Sequence, residues 1–135
     1  MRVLHGTCLC SKVAYEVEDD FKYMGYCHCS VCRKFSGSAL SAVGGVPKDG
    51  FRVVRGEDRL GRYEHSPSTI FVFCTSCGSS LYSDKPQRGM VHVRLGTLDE
   101  APTRRPGYHI FVGSKATWDE LADAALPRYD ERQTT

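Results

Sequence analysis

Seven cysteines in three tight groups constrain this chain more than any other feature. Cys8 and Cys10 form a C-x-C, Cys27, Cys29 and Cys32 form C-H-C-S-V-C, and Cys74 and Cys77 form C-T-S-C-G. An odd number cannot pair completely into internal disulfides. In a reducing compartment, clustered cysteines are metal ligands or redox groups more often than staples. The first residues, Met1-Arg2-Val3-Leu4-His5-Gly6, lack the apolar core of a signal peptide, and apolar stretches such as Ile70-Phe71-Val72-Phe73 are far too short to span a bilayer. The expected compartment is therefore the cytoplasm, where thiols stay reduced.

The spacing divides the sulfurs into two sets. Residues two apart on an extended strand point to the same face, so Cys8 and Cys10 can present both sulfurs on one side. A C-x-x-C followed by glycine turns tightly, and Gly78 tolerates the positive φ such a turn needs. Backbone N–H groups in the turn then soften the thiolate charge. These two pairs supply four sulfurs, the usual closed tetrahedral zinc set. Cys27, Cys29 and Cys32 lie within six residues, so one loop can wrap a single ion. Three protein ligands leave the fourth position open, as in catalytic zinc. Four alternatives stay open: disulfides between the pairs, a redox C-x-x-C (without a surrounding βαβ pattern), a triplet closed by a fourth ligand from elsewhere, and free or oxidised thiols.

A chain of 135 residues suits one domain with a modest core, which metal staples would support. Short strands are expected at Val13–Val17, Phe51–Arg55, Ile70–Phe73, Met90–Leu95 and Tyr108–Val112, where apolar and polar residues alternate or bulky residues cluster. Turn signals separate them at Gly44-Gly45, Pro47–Gly50, Gly56–Asp58, Pro67-Ser68 and Arg105–Gly107. One short helix is expected from Thr117 to Ala125, capped by Thr117 and burying Trp118, Leu121 and Ala122. The class is mainly β: a single domain over 1–126 and a polar, frayed tail over 127–135.

The segments Gly6-Thr7-Cys8-Leu9-Cys10, Cys27 to Arg33 and Phe73 to Ser79 resemble the glutathione-dependent formaldehyde-activating enzyme family, also called the centromere-protein-V-like or Mss4-like zinc fold. Gly96-Thr97-Leu98-Asp99, His109–Val112, Ser114-Lys115 and Trp118 extend the match, so it runs from about Gly6 to Trp118. The resemblance implies an Mss4-like β-tent built around a structural zinc on Cys8, Cys10, Cys74 and Cys77. It implies a second, catalytic zinc on Cys27, Cys29 and Cys32, making two zinc ions per chain. The implied activity is that of a carbon–sulfur lyase condensing formaldehyde with glutathione. The matching motifs identify no residues that would hold glutathione's carboxylates.

Three thiolates around a zinc ion carry a net charge of about −1 by counting +2 against three −1 ligands. That favours activation of an incoming thiol over strong polarisation of a carbonyl. Cys27, Cys29 and Cys32 are then ligands rather than nucleophiles. Arg33 and Lys34 either offset this charge and attract an acidic thiol or are solvated loop charges. His28, between two ligands, should point away from the metal. His92 and His109 read as satisfied strand or packing residues, and His5 and His65 carry no further signal. Asp99 reads as a turn cap. The aromatics Tyr15, Tyr26, Phe71, Phe73, Tyr82, Phe111 and Trp118 suit strands and a core.

The expected partners are a small thiol, glutathione or similar, and a small aldehyde. A net charge of +2 gives no basis for nucleic-acid binding. A homodimer through an exposed β edge is compatible with the pattern but unspecified by it. The competing functions are a non-catalytic zinc-binding interaction module and an aldehyde or xenobiotic detoxifier that does not use glutathione.

Overall fold

Ten strands and one short helix follow one another in this computed structural model, which describes residues 1–121, 123 and 125–133. The strands are β1 (Val3–Thr7), β2 (Ala14–Glu18), β3 (Tyr23–Cys27), β4 (Ser41–Pro47), β5 (Phe51–Arg55), β6 (Leu60–Ser66), β7 (Thr69–Cys74), β8 (Ser80–Lys85), β9 (Met90–Arg94) and β10 (His109–Ile110). The helix α1 (Ser30–Ser36) follows β3. A small antiparallel sheet runs β1-β2-β5, and a seven-stranded sheet runs β10-β3-β4-β9-β8-β7-β6. In the large sheet only β10 lies parallel to its neighbour, pairing His109 with Tyr26 and Ile110 with Cys27. Among the described residues no helix is long and apolar enough to cross a membrane.

Inward-facing residues of both sheets meet in one core. Leu4, Tyr15 and Val17 come from the small sheet, and Met24, Val46, Val72, Leu81, Val91 and Val93 from the large one. The alternation expected around Tyr15 and Val17 is present, with both fully or almost fully buried. The mainly β class read from the sequence is therefore the one observed.

Two local expectations need correction. Gly44-Gly45 is not a turn but the middle of β4, a central strand. The rings of Phe21 and Tyr23 lie where Cβ atoms would stand at Gly44 and Gly45, so glycine here admits aromatic side chains rather than bending the chain.

The expected C-terminal helix is the other. The described residues from Thr117 to Leu121 form a turn at Thr117-Trp118 and irregular chain; Ala122 and Ala124 lie outside the described residues. Trp118, expected to be buried, is 73% exposed, so no apolar face supports a helix. Side chains also take the carbonyls a helix would use. The Lys115 ammonium donates to the carbonyl of Asp119, and the Arg128 guanidinium donates to those of Leu121 and Asp123.

The expected tail is docked over its described part. The backbone N–H of His109 donates to the carbonyl of Pro127 (2.8 Å), Tyr129 donates to His109 (2.9 Å), and Phe111 donates to Glu131 (2.7 Å). Residues 127–131 thus form a strap along β10, which gives that two-residue edge strand a covering partner.

Candidate metal centres

The first site joins the end of β1 to the turn between β7 and β8. Cys8 and Cys10 are brought together by a tight turn rather than by strand alternation. The N–H of Ser11 donates to the carbonyl of Cys8 (3.0 Å), and Ser11 takes a left-handed φ of 66°. On the other side Gly78 adopts φ 80° and donates its N–H to the carbonyl of Cys74 (2.7 Å). This closes the C-x-x-C turn as the glycine there requires.

The sulfurs of Cys8, Cys10, Cys74 and Cys77 lie within 4.8 Å of one another, with Cys8–Cys10 at 3.6 Å and Cys10–Cys74 at 3.8 Å. Tetrahedral thiolate coordination with metal–sulfur bonds of about 2.3 Å separates sulfurs by about 3.8 Å. The donor set therefore fits a metal ion.

Backbone N–H groups also aim at these sulfurs, Val13 at Cys8 (3.3 Å) and Ser76 at Cys74 (3.4 Å). The Ser79 hydroxyl, then the backbone N–H groups of Ser79 and Cys10, lower the Cys77 thiol to about 5. Such bonds favour thiolates, the form a metal requires.

The second site is built by α1 and the strand before it. Cys27 ends β3, Cys29 is the N-cap of α1, and Cys32 lies in the first turn. The Cys29 sulfur accepts the N–H of Cys32 (3.3 Å), a capping role usually taken by an oxygen. Gly37, at φ 64°, ends the helix with its N–H on the carbonyl of Arg33. The helix is short; it carries Cys32 and is capped by Cys29.

The three sulfurs lie within 4.8 Å of one another, and among the described residues no fourth Cys, His, Asp or Glu joins the group. Hydrogen bonds from Cys27 and Cys32 lower Cys29 to about 2, while the same exchange with Cys29 pushes Cys27 up. Three thiols competing for protons in a half-buried loop are a donor set that a cation would resolve. Both cysteine groups can hold metal ions.

These three sulfurs face a cavity of about 490 Å³. Its apolar walls include Phe71, Tyr108 and Phe111, with Tyr23 and His92 on another side. Among the described residues four cations line it, Lys85, Arg88, Arg94 and Arg132, and no aspartate or glutamate does. None of the four is in a salt bridge among the described residues.

Arg94 is 7% exposed and sits over the rings of Phe35 (5.1 Å) and Phe71 (5.8 Å), donating to Ser83 Oγ (2.8 Å) and to the carbonyl of His92. Burial lowers its pKa, and the charges of Cys32, Cys27 and Cys29 oppose that shift. Burial and the neighbouring positive charge of Arg94 lower Lys85.

The cations expected from the sequence are elsewhere. Lys34 is exposed and lines a neighbouring groove, and Arg33 lines neither cavity. The cavity cations come from β8, the turn after it, β9 and the residue just past the C-terminal strap, segments no motif connects.

The histidines divide by environment. The ring of His28 is fully buried and turned to His109, 2.8 Å from Nε2 to Nδ1. His92 is paired with Tyr23, and His5 with Glu100. Asp99 ties β1 down, its N–H on the carbonyl of His5 and its carboxylate accepting from Thr7.

The sequence profile described as "Glutathione-dependent formaldehyde-activating enzyme" matches residues 3–114. Relatives that carry the same name provisionally include one from Aspergillus flavus, 29% identical over 113 residues, covering 79% of this chain and 59% of that protein. Another, from Penicillium rubens, is 30% identical over 111 residues, covering 79% of this chain and 58% of its own length. One from Halomonas elongata is 28% identical over 127 residues, covering 88% and 81%. The chain thus spans about three fifths of the fungal relatives' length. A crystal structure of a Rhodobacter sphaeroides protein is similar, with a TM-score of 0.58 and 29% identity, covering 74% of this chain and 92% of that one.

Proposed function

The chain belongs to the glutathione-dependent formaldehyde-activating enzyme family, and from that premise we propose that it adds a carboxylate-bearing thiol such as glutathione to a small aldehyde such as formaldehyde, or releases the aldehyde from the adduct. The observation that carries this reading is a three-sulfur cluster without a fourth donor among the described residues, at the wall of a cavity of about 490 Å³ whose four cations have no carboxylate partner among them.

In this reading Cys8, Cys10, Cys74 and Cys77 hold a structural zinc, and Cys27, Cys29 and Cys32 hold a catalytic one. A zinc ion bound by three thiolates supplies an open fourth position that favours the thiolate form of an incoming thiol. The chain's own residues do the rest. Arg94, buried beside the sulfurs, offsets their negative charge and favours a further anion there. Lys85, Arg88 and Arg132 draw the substrate's carboxylates into the cavity, which supplies them no competing acid. The aromatic walls limit water around the reacting atoms. The reaction balances without another reactant: the sulfur bonds to the carbonyl carbon, the carbonyl π pair moves to oxygen, and the thiol's proton ends on that oxygen.

The test is zinc counting together with an assay of thiol–aldehyde condensation using glutathione. Two zinc ions in the wild type, one in Cys29→Ser, and loss of condensation in that variant are expected. Condensation that persists unchanged in Cys29→Ser after loss of one zinc would defeat the mechanism. Two firmly held ions with no condensation for any thiol would favour the interaction-module alternative.

A further inference from the structure

Behind the three-cysteine loop runs a chain of three side chains that the reaction itself does not use. His28 Nε2 lies 2.8 Å from His109 Nδ1, and His109 Nε2 lies 3.0 Å from Oδ2 and 3.2 Å from Oδ1 of Asp123. His28 is fully buried and His109 is 2% exposed, whereas the Asp123 side chain is 42% exposed. Tyr26 stacks on the His109 ring at 5.0 Å, and the backbone N–H of His28 donates to the carbonyl of Ile110 (3.0 Å). Main chain and side chain of residue 28 are thus both pinned to β10.

With both rings neutral, the partners fix where the hydrogens sit. A carboxylate only accepts, so His109 carries its hydrogen on Nε2. In the neutral ring Nδ1 is then bare and must accept, so His28 donates from Nε2. That leaves His28 Nδ1 without a hydrogen, and it is one of the buried side-chain atoms with no partner among the described residues. A bare ring nitrogen left alone in the interior is tolerated better than an orphaned N–H. One acceptor at the rim therefore dictates the orientation of two buried rings.

We propose that Asp123 is a positioning residue for the three-cysteine site: through His109 and His28 it holds the backbone between Cys27 and Cys29 in the form that brings their sulfurs together. This rests on the reading that the triplet holds a metal ion. Asp123 lies beyond residues 3–114, the span matched by the family profile. The chain leading into the C-terminal strap therefore completes a restraint on a site whose sulfurs all lie upstream. Outer partners that orient a metal-binding group commonly shift its affinity by about 10- to 100-fold.

The experiment is zinc release to a chelator from the full chain, with ¹⁵N spectra of the histidine rings. The wild type should release zinc in two phases, the faster from the three-cysteine site. Asp123→Ala should speed that phase about tenfold and leave the slow phase unchanged. Asp123→Asn, whose amide oxygen still accepts from His109, should stay within about twofold of the wild type. The spectra should place the hydrogen on Nε2 of both His109 and His28 in the wild type and show a tautomer mixture in Asp123→Ala. An unmoved fast phase in Asp123→Ala, or a hydrogen on His109 Nδ1 in the wild type, overturns the positioning role alone. A wild type that releases only one zinc overturns the metal reading beneath it.

Discussion

Tyr23 Oη lies 2.6 Å from Nε2 of His92, and Arg88 donates to the same phenol oxygen at 3.0 Å. The phenol oxygen accepts from the guanidinium, which leaves its own hydrogen free for a bare nitrogen of a neutral imidazole. Burial, then the positive charges of Lys85, Arg88 and Arg94, holds His92 down to about 3.

A pH dependence of stability follows from that shift. Unfolded, His92 has the ordinary histidine pKa of about 6.5. Below that pH the unfolded chain takes up a proton that the folded chain refuses. The contribution is flat above about pH 6.5 and erodes between about 6.5 and 3 by at most about 1.4 kcal/mol per unit. His92→Gln should flatten this acid limb relative to the wild type in urea titrations at pH 7, 6 and 5. Parallel curves would show that His92 is not the group involved.

The two cysteine sets should fail differently. The quartet joins β1 to the β7–β8 turn, so the energy of binding a metal there would be folding energy. Cys74→Ser should cost on the order of 5 kcal/mol and abolish a cooperative thermal transition followed by circular dichroism. Cys29→Ser should lose one zinc and keep the transition. Equal damage from both variants would contradict the division of roles.

Arg88 should select substrates by charge. A charge-assisted hydrogen bond is worth about 1.5–3 kcal/mol, so Arg88→Gln should raise KM for glutathione about tenfold or more. With cysteamine, which has no carboxylate, KM should change less than about twofold, since that bond is absent. Direct binding of S-methylglutathione, which cannot react, gives the same comparison without turnover. An equal rise for both thiols would assign Arg88 to the support of Tyr23 alone.

Gly45 sits in β4 where the Tyr23 ring occupies the space of a side chain. Gly45→Val should force that ring aside and destabilise the chain by about 1–3 kcal/mol, read as a lower urea midpoint at constant slope. Because Tyr23 also lines the cavity, KM for glutathione should rise in the same variant. An unchanged midpoint would mean that the ring moves at no cost.

The sequence by itself determined the partition of the sulfurs and the class of fold. Ligand sets are written in spacings of two or three residues, and a strand with one buried face writes itself as alternation, as Tyr15 and Val17 do in β2. These signals are local. Gly44-Gly45 misled for the complementary reason: what fills the space above them is Phe21 and Tyr23, which only sheet pairing brings there.

Tertiary structure alone decided the rest. The cavity cations Lys85, Arg88, Arg94 and Arg132 share no motif and converge only because β8, β9 and the strap end at one place. His28 and His109 are 81 positions apart, and their hydrogen bond exists because β10 lies parallel to β3. Coordination geometry is set by a few neighbouring residues, so it is legible in one dimension. Charge complementarity and the orientation of buried rings depend on which distant strands become neighbours, and that is settled only when the core closes.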